Sequence, residues 1–337
     1  MADFDFMKQA QEYYALGPAI ILGSGASAAY GLSGMWDLAD HLMKSIAKAE
    51  IDEDQQENWG KFCGQLEGGI DLETALHNVP LSESLTRLVV LATWQLINPQ
   101  DIDVFKQSLG SSAFFHLGRL LSAMFRSAKN EIDIITTNYD RLAEYACDQE
   151  GIHHYTGFTH GYLRTLVDKE HLHSRRQVNI WKVHGSLDWM KSPVGEIRAF
   201  GQTEYIPDGY APQIVTPGIN KYEMTYHEPF RSAITHADEA FLNASSYLCI
   251  GFGFNDQHIQ EKLVERCVRH GCSITVVTRS MSESAKKFLF DSGVENYLCA
   301  TKGDTDGQSV LYSSKSTGPI VVENDYWTVN GYMEMVL

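Results

Sequence analysis

Apolar positions along this chain follow two rhythms. Short unbroken apolar runs that stop abruptly at glycine or polar residues predict buried strands: Ala19–Leu22 before "GSGASAAYGL", residues 132–136 before "TTNYD", and "SSYLCI" before "GFGFND", with "SITVVTRS" farther on. "NIWKVHGSLDWM" reads as one more strand, ending at His184 and Gly185. From residue 36 to about 129 the spacing changes to three and four, in "WDLADHLMKSIAKAEI", "SLTRLVVLATWQLI" and "SSAFFHLGRLLSAMF", which predicts helices and almost no strand. A helix is expected from near Asp140 to Gly151, and another after "GFGFND". Residues 152–179, rich in His, Tyr and Gly, read as a long loop with short elements.

Strands that mostly alternate with helices imply an α/β fold with a parallel sheet covered on both faces. Residues 1–300 are expected to form that domain, with a helical module at 37–130 inserted into it. Residues 301–337 change character to short alternating runs broken by Gly, Ser and Asp, which suggests a C-terminal β or extended arm and a candidate assembly element. Ligands of such sheets bind beyond the carboxyl ends of the strands, so the distinctive turns should face one crevice.

Charge and cysteine content narrow the function. A net charge of −16 opposes non-specific attraction to nucleic acid, and direct nucleic-acid binding is not expected. No apolar stretch approaches the ~20 residues that span a bilayer, and "MADFDFMKQAQEYYALG" lacks the basic start and apolar core of a signal peptide. No membrane contact and a cytoplasmic location are therefore expected. Six cysteines form no C-x-x-C pair and read as buried free thiols.

The chemistry concentrates in the turns. Gly23, Ser24, Gly25, Ala26, Ser27 and Ala28 match the G-x-G-x-x-A pattern, in which missing side chains let backbone N–H groups approach a pyrophosphate. Tight strand-to-helix packing explains the same glycines. A dehydrogenase needs a second strand ending in an acidic residue about 20 positions later, and this interval is helical, which argues against hydride transfer. "TTNYD" sets Asn138 and Asp140 at one strand tip, "WKVHGS" sets His184 at another, and "IGFGFND" supplies Gly251 and Gly253 at a third. Read alone, Asn138 is also a turn residue, His184 a hydrogen-bonded core histidine, and Asp140 an N-cap or a ribose contact.

In order and character these turns resemble the sirtuin superfamily, over most of residues 19–280. The resemblance implies a Rossmann-like NAD-binding core. Asn138 and His184 would lie around the nicotinamide ribose, Gly23 to Ser27 and Asp140 would contact the cofactor, and Gly251 and Gly253 would form the late glycine turn. Two C-x-x-C pairs that hold zinc in deacetylating sirtuins are absent, as is a Pro-Asp-Phe-Arg segment, replaced here by "LSGMWDLADHL". No zinc is therefore expected. That combination looks like the bacterial sirtuin-like effectors of anti-phage defence, which implies an NAD+ glycohydrolase with NAD+ as substrate. It also implies a homo-oligomer and control by a HerA-type ATPase or helicase partner. An NAD-dependent protein deacylase, a partner-dependent nuclease and a non-catalytic NAD sensor or scaffold are the alternatives.

Lesser features add little. His153, His154, His160, His171, His173 and His184 share one span, and His171-x-His173 has a spacing that can meet a metal, but no carboxylate or cysteine pattern completes a site. Arg175 and Arg176 read as solvated surface or a contact for an anion. The aromatics of "YTGFTHGY" and "LDWM" read as pocket wall or core rather than adenine-stacking platforms.

Overall fold

The computed structural model describes residues 5–46, 51, 53–127, 129–161, 163–168, 176–215 and 227–337. His171, His173 and Arg175 lie outside the described residues. The central sheet contains β1 (Ala19–Leu22), β2 (Glu131–Thr136), β3 (His154–Tyr155) and β5 (Gln177–Lys182), with β9 (Ser246–Ile250), β10 (Ser273–Thr278), β11 (Tyr297–Lys302), β12 (Ser309–Ser313) and β13 (Ile320–Val322). Its order is β13-β12-β11-β10-β9-β1-β2-β5-β3. Pairing is parallel from β11 to β3 and antiparallel at β12 and β13.

Alternation along each strand sorts the apolar side chains into two cores. Ile20, Leu22, Ile134, Ile180, Leu248 and Ile250 join one, and Ala19, Ile21, Ile135, Trp181, Tyr247 and Cys249 join the other. Both faces are buried, which is why the strands read as unbroken apolar runs. Helices α1 (Phe6–Ala15), α7 (His116–Met124) and α8 (Leu142–Gln149) contribute to the first core, and the helix Phe230–Asn243 contributes to the second. Fully burying one Ile or Leu contributes about 1.5–3 kcal/mol, so the sheet is the main source of stability.

The inserted helices α3 (Met35–Ile46), α4 (Glu53–Glu67), α5 (Leu72–Asn78) and α6 (Glu83–Ser108) have a separate core around Leu42, Phe62, Leu85 and Val89. Helix α6 ties the module to the rest of the chain through Trp94, whose Nε1 donates to the Leu187 carbonyl at 2.8 Å.

Two sequence expectations need correction. "NIWKVHGSLDWM" is not one strand. β5 ends at Lys182, and after a two-residue turn the chain enters β6 (Gly185–Lys191) of a separate antiparallel sheet, ordered β4 (Leu163–Thr165), β7 (Ile197–Phe200), β6, β8 (Ala211–Ile214). Residues 301–337 do form short strands, as expected, but these are packed into the domain and are not a separate arm. β12 and β13 complete the central sheet, and the helix Val329–Val336 buries Tyr332, Met333 and Met335 in its first core. The six cysteines are unpaired, and all but Cys63 are buried.

Candidate functional site

Register brings the turns together. Leu22 pairs with both Thr136 and Ile250, and Thr136 pairs with Lys182. Gly23, Asn138, His184 and Gly251 therefore leave four adjacent strands, β9-β1-β2-β5, at one level of the same sheet edge. The chain moves from β1 toward β2 and β5, then returns to β9 on the other side of β1. This reversal is the switch point where α/β sheets open a crevice.

At that point two turns cross in contact. Gly23 N donates to the Ile250 carbonyl at 3.1 Å and Gly25 N to the Gly251 carbonyl at 3.0 Å. A Cβ on Gly23 would lie 2.5 Å from Gly251 O, and one on Gly251 only 2.2 Å from Ala26 N. Gly251 also adopts φ +58°, which glycine reaches without strain. Close backbone packing thus requires these glycines. Gly253 is different: its nearest contact to an added Cβ is Asn255 Nδ2 at 3.7 Å. Ala26 N is taken by the Gly23 carbonyl, while Ser24 and Gly25 face solvent at the mouth. Helix α2 (Ser24–Ala28), which follows, is five residues long.

Beneath this crossing, Asn138 Nδ2 donates to Gly23 O and to Ser27 Oγ, both at 2.9 Å. Ser27 Oγ donates in turn to Asp140 Oδ2 at 2.6 Å, and Asp140 Oδ1 accepts from Leu142 N at 3.2 Å. The network assigns the Asn138 amide orientation, because only an NH2 group can face the Gly23 carbonyl. Both amide hydrogens are used, so Asn138 offers its Oδ1 as an acceptor. Asp140 is not the N-cap expected of it: the helix starts at Leu142 with Arg141 at the cap position and no side-chain cap, and Asp140 lies one residue earlier. Burial pushes its carboxyl up to about 6, against the opposing pull of Lys182 and the Ser27 hydrogen bond. Lys182, itself 1% exposed, donates to the Asp140 carbonyl and, at 2.9 Å, to Glu144 Oε1.

Ala26, Ser27, Tyr30, Asn138, Asp140 and Val329 line a narrow, mainly apolar pocket of about 40 Å³. His184 stands at the end of the neighbouring strand, buried, with Nε2 2.9 Å from Asp256 Oδ2. Asp256 thereby fixes the orientation of the His184 ring. Asp256 also caps the helix Gln257–Leu263 by accepting from Ile259 N at 2.9 Å. Gly185 follows His184 because the β8 backbone passes there: a Cβ would meet Gln213 O at 2.1 Å.

The sequence identified Gly23, Gly25, Ser27, Asn138, Asp140 and Gly251, which share one bonded cluster, and His184 beside it. It missed Asp256 and Lys182. The signals present were an Asn-Asp pair before a helix and a lysine closing an apolar strand. Among the described residues no group of three His, Cys, Asp or Glu side chains is arranged to hold a metal ion, and no helix is long and apolar enough to cross a membrane.

An α/β sheet with this switch-point site defines the class, and residues 133–296 match the family described as SIR2-like domain. The matched span includes Asn138, Asp140, His184 and Asp256 and leaves the first glycine loop outside. No curated protein matches the chain in sequence. Similar solved structures include a sirtuin described for substrate affinity, with 12% identity, 99% of this chain and 98% of that one covered, and a TM-score of 0.46. Others are Sir2Tm bound to a propionylated peptide, with 14% identity, 88% and 92% covered and a TM-score of 0.45, and a Sir2 homologue in complex with NAD, with 12% identity, 89% and 88% covered and a TM-score of 0.43.

Proposed function

We propose that the site binds NAD+ and hydrolyses its nicotinamide N-glycosidic bond. The carrying observation is the Asn138–Ser27–Asp140 network on a small apolar pocket, with the His184–Asp256 pair on the adjacent strand end. Cleavage breaks the bond between ribose C1′ and the pyridinium nitrogen. The electron pair leaves with neutral nicotinamide, so no acid is needed, and water adds to C1′. What the protein must supply is stabilisation of the cationic ribose, placement of the water and acceptance of one proton.

Asp140, mostly ionised at pH 7, supplies negative charge at the pocket wall. Asn138 Oδ1 accepts from a ribose hydroxyl or the water, and the His184 imidazole takes the proton. Ser24 and Gly25, at the exposed mouth, are assigned to the pyrophosphate with Gly23, Ala26 and Ser27 framing the loop, and Gly251 and Gly253 form the opposite lip. Such an activity must be held off in healthy cells. We assign it, on the family resemblance, to NAD+ depletion in anti-phage defence, as a cytoplasmic homo-oligomer governed by a HerA-type ATPase. The segment 301–337 is a candidate for that assembly.

Incubating the protein with NAD+, alone and with the ATPase, while following nicotinamide and ADP-ribose tests the proposal. Asn138→Ala and His184→Ala should each lose turnover at least a hundredfold while remaining folded. Unchanged rates in both variants refute the mechanism, and nicotinamide release only when an acylated peptide is supplied establishes a deacylase instead.

A further inference from the structure

Helix α6 of the inserted module bonds to the chain just downstream of each part of the candidate site, and it does so between Trp94 and Asp101. Ser33, six residues after Ser27, donates its N–H to Gln100 Oε1 and accepts at its Oγ from Gln100 Nε2, both at 2.8 Å. The neighbouring Leu32 N closes back on the Ser27 carbonyl at 3.4 Å, which links this contact to the glycine loop. Arg141, the residue after Asp140, donates its backbone N–H to Asp101 Oδ1 at 2.7 Å and its guanidinium to Asp101 Oδ2 at 2.7 and 3.0 Å. Leu187, three residues after His184, accepts at its carbonyl from Trp94 Nε1.

The sheet alone does not fix the spacing of these groups. It brings the ends of β1, β2 and β5 to one level, but Ser27, Asp140 and His184 lie two to five residues beyond those ends, in turns. What holds the turns therefore sets the distances between them. The α6 contacts are suited to that task because they are dry: Asp101 is fully buried, and Trp94 and Arg141 nearly so. Leu32, Leu142 and Leu187, one from each supported segment, pack with Trp94 and Ile97 in one core. Earlier along the same helix, Leu85 and Val89 belong to the separate core of the module. One helix thus spans both.

We infer that Trp94, Gln100 and Asp101 are positioning residues for the proposed cleavage, through which the inserted module sets the relative placement of Ser27, Asp140 and His184. None of the three lines the pocket, so they act through Ser33, Arg141 and Leu187. The consequence for turnover rests on the NAD+ reading, whereas the mechanical role rests on the hydrogen bonds. A displacement of ~1 Å at reacting groups costs on the order of a hundredfold in rate, so partial loosening of one support should be visible.

Gln100→Leu keeps the volume and breaks both bonds to Ser33, while Gln100→Glu keeps an acceptor for the Ser33 N–H and lets the Ser33 hydroxyl turn and donate. Nicotinamide release by the full chain should fall about tenfold or more in kcat/KM with Gln100→Leu and stay within about threefold of wild type with Gln100→Glu. Asp101→Leu with Arg141→Met fills the buried space with apolar groups but leaves the turn without its carboxylate. It should keep a cooperative urea transition and still lose turnover about tenfold or more, which a merely stabilising role would not produce. Arg87→Ala, on an exposed stretch of the same helix, should change neither. Hydrogen exchange gives a readout independent of activity: amides of 23–33 should exchange about tenfold faster in Gln100→Leu, and those of 137–142 about tenfold faster in the double variant. Wild-type turnover and exchange in both variants overturn the inference. A wild-type protein that releases no nicotinamide refutes the NAD+ reading alone, and the exchange rates then decide this inference by the same criterion.

Discussion

Replacing Gly251 by alanine separates the two reasons for glycine at the crevice. At φ +58° an L residue in the left-handed region costs about 1–2 kcal/mol. Its Cβ would also lie 2.2 Å from Ala26 N and 2.4 Å from Gly25 C, backbone atoms that move only if the β1 and β9 turns part. Overpacking of that kind costs about 1–3 kcal/mol. Together about 2–5 kcal/mol should be lost from a total stability of ~5–15 kcal/mol. Gly253→Ala, with 3.7 Å of clearance, should stay within about 1 kcal/mol of wild type. Urea titration followed by circular dichroism reads both, with the midpoint of Gly251→Ala falling at constant m. A Gly251→Ala midpoint equal to that of Gly253→Ala refutes the packing argument and leaves ligand contact as the reason for the glycine.

Other consequences follow from the buried charges. The Asp140 carboxyl, pushed up from 3.8 to about 6 in the folded chain, binds its proton more tightly folded than unfolded. Its contribution is fully present below pH ~4 and lost as pH rises through about 6, about 3 kcal/mol in all. Asp140→Asn should therefore gain on wild type across that window, and a stability difference flat from pH 4 to 7 contradicts the assignment. Asp101→Asn strands the Arg141 guanidinium, 6% exposed, and should cost about 3–5 kcal/mol. Asp101→Leu with Arg141→Met should recover at least half of that in the same titration. Asp256→Asn keeps the helix cap, since Asn caps as well as Asp, but turns an N–H toward His184 Nε2. Stability should hold within about 1 kcal/mol while NAD+ turnover drops at least a hundredfold, and retained turnover removes Asp256 from the mechanism.

The central strands were legible because residues such as Ile20–Leu22 and Leu248–Ile250 are buried on both sides, so that burial leaves a continuous apolar run. The insert was legible because its helices have one wet face. The small sheet was hidden. Only two residues separate β5 from β6, so two strands in different sheets print as one apolar stretch, and its other strands are three or four residues long. The terminal helix was masked by Gly331, which is there because the Asp325 carbonyl would lie 2.0 Å from its Cβ. Within the site, turn residues declare themselves by type and position. The His184–Asp256 and Lys182–Glu144 pairs join distant parts of the chain, and spacing carries no record of such contacts.

The crossing of the β1 and β9 turns also sets an order on biosynthesis. Gly23 and Gly25 emerge early, yet their partner Gly251 and the carboxylate of Asp256 are made long after Asn138 and His184. Domains fold as units once their long-range contacts exist. A nascent chain stalled before residue 251 therefore carries Asn138 and His184 but lacks both the turn that crosses the first glycine loop and the carboxylate that holds His184, so the candidate site cannot assemble until that late segment has been made.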